Sequence, residues 1–218
     1  MQDVPRPFDM CWCHWMAVPT GDQAGVMEVL GLLPSRPMTF AEAAEMADDD
    51  VHGLDNPHRL SRVFVTPEVD GWTLVIGAWC DPSDSGRRDD VLGLCTTLSV
   101  RYGSAQAYYF GGHVDGSAWL IAENGTVVRR YAATGEPDDA LLTLGRPLPL
   151  EQEVRAAAGL PDGDPQTLSE DQRDELESVT FDLAPEIAAA YGVTPLTLSP
   201  GMKVRGTGLL ALTPHPFG

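Results

Sequence analysis

The chain has 218 residues, 43% of them hydrophobic and 7% aromatic, enough to bury a substantial core. Its 32 acidic residues against 14 basic ones give a net charge of −18, which repels a phosphate backbone and argues against nucleic acid as a ligand. No apolar run approaches the roughly 20 residues that span a bilayer, and no basic start followed by an apolar stretch opens the sequence, so a cytoplasmic protein without membrane association is expected.

Residues 1–19 carry Phe8, Met10, Trp12, Trp15 and Met16. They are too apolar for a loose tail and predict an extended segment or short helix packed on the body. Thr20 and Gln23 have the spacing of a capping box, and Val26, Met27, Leu30 and Leu33 follow at helical intervals, with Pro34 as the stop. Thr39 and Glu42 repeat the device and open a helix to about Ala47. Asp48, Asp49 and Asp50 would oppose the dipole at a helix C-terminus, which assigns them to the following loop. A loop is expected to continue from Val51 to Ser61. Val63–Thr66 and Trp72–Ile76 are β-branched and aromatic, and the Pro, Asp and Gly between them predict an antiparallel hairpin. Asp81 to Gly86 reads as a loop. Val91, Leu94, Cys95, Leu98 and Tyr102 recur at three- and four-residue steps, and Gly103 ends that helix.

Three strands follow, at 104–110, 118–123 and 126–131, the last two joined by Asn124-Gly125, a strong two-residue hairpin signal. Strand alternation sends Arg129 and Arg130 to opposite faces, and either one, if buried, requires a carboxylate or carbonyl partner. Residues 150–159 predict a short helix and 160–168 a surface linker. Ser169 and Gln172 form a third capping box, opening a helix to about Val179. Leu183–Tyr191 gives another helix and Leu209–Leu212 a last strand. The expectation is a single α+β domain over residues 1–218 with a sheet-and-helix core at 62–133. Its sheet is mainly antiparallel with about five strands, and its helices pack on one face.

Reactive residues are sparse. Cys11, Cys13 and His14 are good zinc or copper ligands in type, although C-x-C-H lacks the paired C-x-x-C spacing and the flanking tryptophans also fit apolar packing. Cys80 and Cys95, like the other two, are expected as free thiols. Neither a nucleophile elbow nor a glycine-rich phosphate loop is present, so no catalytic residue and no cofactor are implied. His113 and Asp115 sit in a glycine-rich turn, suited to holding a ligand or to a solvated loop. Trp79, Asp81, Asp84, Asp89 and Asp90 place an aromatic beside several carboxylates, a combination able to grip arginine or lysine side chains of a partner.

Val63-Phe64-Val65-Thr66-Pro67 with Asp70-Gly71-Trp72-Thr73-Leu74-Val75-Ile76-Gly77, and Ala118–Tyr131 (AWLIAENGTVVRRY), resemble a pattern in poorly characterised bacterial proteins. Gly145–Glu151 matches a Gly-x-Pro-Leu-x-x-Glu element of the same proteins. The resemblance implies one α/β domain and supplies no catalytic residues. In size and charge the chain also resembles immunity proteins that neutralise bacterial toxins. These features point to a non-enzymatic protein-binding module with a basic protein partner, of which an immunity-type inhibitor of a basic toxin or effector is one form. The alternatives are a small metal-binding protein or enzyme using Cys11, Cys13 and His14, and a structural component of a larger bacterial assembly.

Overall fold

A computed structural model describes residues 4–10, 12–52, 59–162 and 167–214, with the backbone alone for Val51, His113 and Val114. The elements in chain order are β1 (Cys13–Val18), α1 (Gln23–Leu30), β2 (Leu33–Pro37), α2 (Phe40–His52), β3 (Arg62–Val65), β4 (Glu68–Val69), β5 (Thr73–Ile76), α3 (Arg88–Tyr102) and β6 (Ser104–Phe110). Then come α4 (Gly112–Asp115), β7 (Ser117–Glu123), β8 (Thr126–Ala133), α5 (Asp139–Leu142), β9 (Leu144–Gly145), α6 (Pro149–Ala157), α7 (Glu170–Thr180), α8 (Ala184–Tyr191), β10 (Val204–Arg205) and β11 (Leu209–Leu212). Among these, no helix is long and apolar enough to cross a membrane.

The main sheet has nine strands in the order β2-β11-β3-β5-β1-β6-β7-β8-β9, and every neighbouring pair is antiparallel. A two-stranded ribbon of β10 and β4 stands apart from it. The expected sheet of about five strands is therefore too small. β1, in the middle of the sheet, is buried at all six positions, so its sequence shows no polar alternation. Pro34, expected as the stop of the first helix, lies instead with Pro37 in β2, an edge strand where proline is tolerated.

Helices cover both faces, not one. Trp15, Phe64, Ile76, Tyr108 and Trp119 project to one side and pack with Phe40 and Met46 of α2 and Ile187 of α8. Met16, Val63, Val75, Ala107 and Leu120 project to the other and pack with Val26 and Leu30 of α1 and Val91, Cys95 and Leu98 of α3. Alternate residues of β1, β3, β5, β6 and β7 thus belong to separate cores.

Local signals held where their chemistry is self-contained. Glu42 N–H donates to Thr39 Oγ1 (3.2 Å) and Thr39 N–H to Glu42 Oε2 (2.8 Å), closing the reciprocal cap of α2. Ser169 and Gln172 do the same for α7. Asn124 (φ 48°) and Gly125 (φ 82°) make the two-residue turn between β7 and β8. Thr20 does not cap α1: Asp22 does, accepting from Gly25 N–H at 2.9 Å, while the Gln23 amide donates to the carbonyls of Val65, Thr66 and Thr207. α2 also runs on to His52, taking in the three aspartates assigned to a loop. Asp50 is buried there and receives Arg62 Nε (2.9 Å) and Nη2 (2.5 Å), which offsets its unfavourable place near a helix C-terminus. Residues 53–58 of the expected loop, and 163–166 of the expected linker, lie outside the described residues.

Arg129 and Arg130 point to opposite faces and both are buried. Glu151 of α6 accepts Arg129 Nε at 2.9 Å and Nη2 at 2.5 Å, and it also accepts the Trp119 indole N–H at 2.8 Å. Arg129 Nη1 reaches the Gly145 carbonyl at 3.1 Å. On the other face Arg130 Nη2 donates to the Pro82 carbonyl at 3.1 Å. Glu151→Ala strands a guanidinium inside the protein and is expected to cost about 3–5 kcal/mol by urea unfolding. Replacing both partners, as Arg129→Met with Glu151→Leu, is expected to cost less than that single change.

Candidate functional site

A cleft of about 750 Å³ opens on the α3 side of the sheet. Its floor is set by strand register. His14 pairs with Tyr109 across β1 and β6, both side chains point to the same face, and the rings stack at 4.9 Å and 25°. β5 then leads through a 3-10 turn at Ala78–Cys80, which delivers Asp81 beside His14. Asp81 Oδ2 lies 3.3 Å from His14 Nε2, and both side chains are less than a tenth exposed. Asp81 Oδ1 accepts Ser83 N–H (2.8 Å), Ser83 Oγ–H (2.6 Å) and Asp84 N–H (3.2 Å). Burial pushes this carboxyl up, but the charge and hydrogen bond of His14 and the donors of Ser83 outweigh it and bring its pKa down to about 2. Asp81 is thus an ionised, fully engaged carboxylate. Among the described residues, His14 Nδ1 carries no hydrogen bond.

The walls come from distant segments. Trp12 donates its indole N–H to Asp115 at the end of α4. Gly116, at φ 73°, lets the chain turn back into β7 where any Cβ would run into the Ala133 carbonyl. Asp84 and Ser85 follow Asp81. Thr134, Glu136 and Asp138 come from the connection after β8, and Arg59 closes the rim. Arg88 pairs with Asp138 from outside. Five carboxylates and one guanidinium therefore line the cleft. Burial, then the charges of Asp115 and Asp81, push the Tyr109 phenol up, so it stays a neutral hydroxyl.

The residues singled out from the sequence separate into groups. Asp81, Asp84 and Asp115 meet in this cleft. Trp79 does not: it is buried beneath the Arg87 guanidinium, 4.5 Å from the ring centre. Asp89 is exposed in the first turn of α3, and Asp90 there pairs with Arg87 at 2.5 Å. His113 lies in α4, with its side chain outside the described atoms.

The metal set divides as well. Cys11 lies outside the described residues. Cys13 and His14 are neighbours on a strand, so Cys13 points into the opposite core while His14 faces the cleft. Burial pushes the Cys13 thiol well up, away from the thiolate a metal needs. Among the described residues no group of three or more His, Cys, Asp or Glu is placed to hold an ion. Cys13, Cys80 and Cys95 are buried free thiols.

Trp12, Arg59, Tyr109, Thr134, Glu136 and Asp138 were not anticipated as site residues. Only the β1–β6 pairing and the path after β8 bring them together, and no local motif encodes either. No family model, curated protein or solved structure matches the chain.

The Asp81 carboxyl titrates lower in the folded chain than in the unfolded one. Its contribution to stability is therefore present above pH 4 and lost as pH falls toward 2. Urea unfolding between pH 5 and 2 is expected to show about 2 kcal/mol of this loss in the native chain and none of it in Asp81→Asn.

Proposed function

We propose that this chain is a non-enzymatic binding module whose cleft receives a guanidinium or ammonium side chain of a basic protein partner. Immunity-type inhibition of a basic toxin or effector is the form of that activity which best suits its size and charge. The observation that carries the reading is the convergence of Asp84, Asp115 and Glu136 in one cleft, between the aromatic walls Trp12 and Tyr109. Charge-assisted hydrogen bonds to a cation are stronger in such a partly enclosed site than on open surface, and aromatic faces add to its attraction. Asp81 organises the floor through Ser83 and His14, while the carboxylates around it meet the ligand. A net charge of −18 accelerates encounter with a cationic protein.

One observation favours a second reading. An imidazole braced at Nε2 by a buried carboxylate and open at Nδ1 has the arrangement of a general base. The chain would then be an enzyme acting on a cationic substrate, using His14 without Cys13.

Hexa-arginine peptide titrated against the native chain, with tryptophan fluorescence as the signal, is expected to bind at low salt and weaken about tenfold or more at high salt. Asp84→Asn with Asp115→Asn is expected to remove that binding, and His14→Gln to leave most of it. Capture of a basic protein from host lysate is expected to follow the same pattern. Binding that ignores salt and survives the double substitution would overturn the proposal. Turnover of a captured small molecule that His14→Gln abolishes would establish the second reading.

A further inference from the structure

We infer that the protein has a second ligand site, separate from the cleft, which takes a small apolar molecule bearing a single carboxylate. A cavity of about 380 Å³ lies between α1, α3 and the 3-10 turn. Leu30, Leu94, Thr97 and Pro214 give it largely aliphatic walls, and Trp79 and Arg87 line it together. Arg87 is 2% exposed. Its Nε donates to the Trp79 carbonyl at 3.2 Å and its Nη1 to Asp90 at 2.5 Å. Among the described residues its Nη2 finds no acceptor, nor does the Trp79 indole N–H, and both atoms are buried. Two buried donors without acceptors, one of them cationic, are costly to maintain in a protein interior. They belong to two stacked side chains that line the same cavity. An anionic head on an apolar body is the chemistry that supplies the missing acceptor and fills the aliphatic remainder.

Asp90 does not occupy that role. It engages the other terminal nitrogen, and its side chain is 60% exposed, so water screens its repulsion of an incoming anion. Because both donors lie behind the cavity wall, part of that wall must shift as the ligand enters. Leu94 is half-buried and Pro214 exposed, so theirs is the solvent side of that wall. Gly93 offers a way to close the site without touching the donors. It is a helical glycine on the cavity wall, and a Cβ built there meets nothing within 4 Å.

The test titrates sodium octanoate and, in parallel, 1-octanol against the native chain in 0.1 M salt at pH 7.5, reading tryptophan fluorescence and Tm. Octanoate is expected to give a saturable fluorescence change and a higher Tm, with 1-octanol at least tenfold weaker. Gly93→Leu is expected to abolish octanoate binding while Tm of the free chain is kept or raised, since leucine is the better helix former. Arg87→Gln is expected to weaken octanoate at least tenfold and to bring it level with 1-octanol; if that variant fails to fold, Gly93→Leu decides. Equal binding of the two compounds, unchanged binding in Gly93→Leu, or no saturable octanoate signal in the native chain would each overturn the inference. Hexa-arginine binding at the cleft is expected to survive Gly93→Leu, so the two sites fail independently.

Discussion

The main sheet is covered on both faces, and most of the polar side chains that its strands turn inward are met by partners inside the protein, the Trp15 indole N–H being an exception among the described residues. That constraint organises much of what surrounds the sheet. On one face Glu151 collects Trp119 and Arg129, tying α6 to two adjacent strands. On the other, Arg130 fastens the loop at Pro82, and His14 on β1 meets Asp81 a few residues before the start of α3. The cleft sits where the second set of partners reaches the surface. Its floor is the outer end of the same buried polar network that completes the sheet, so the shape of the site and the stability of the fold are linked through Asp81.

Local rules were legible where the decisive atoms are close in sequence. The Thr39–Glu42 and Ser169–Gln172 caps, the Asn124-Gly125 turn, the helix ended by Gly103 and the opposed pair Arg129 and Arg130 all followed from spacing. The size of the sheet did not. β1 is buried on both sides, with His14 its one strongly polar residue, and a six-residue run of that kind has no period to read. β2 hides behind two prolines that only an edge position tolerates. β1 alone carries the signal for helices on both faces, since a strand buried on each side needs cover on each.

The site was legible by half for a related reason. Asp81, Asp84 and Asp115 stood out as carboxylates beside turns, but their meeting with His14 depends on β1 pairing with both β5 and β6. Trp79, Asp89 and Asp90 lie elsewhere, the first in the 3-10 turn and the other two in the first turn of α3. The 3-10 turn at Ala78–Cys80 swings the chain so that Asp81 faces the cleft while Trp79 lies under Arg87. Two neighbouring acidic residues in a sequence can thus serve different pockets, and charge counting alone does not separate them.

The position of β11 between β2 and β3 bears on how the molecule is made. During synthesis, β2 and β3 emerge before β11, and the edges that it fills stay unpaired until residues 209–212 join them. Until then the chain carries two open backbone seams. The two prolines of β2 leave it fewer backbone donors to offer a stray strand.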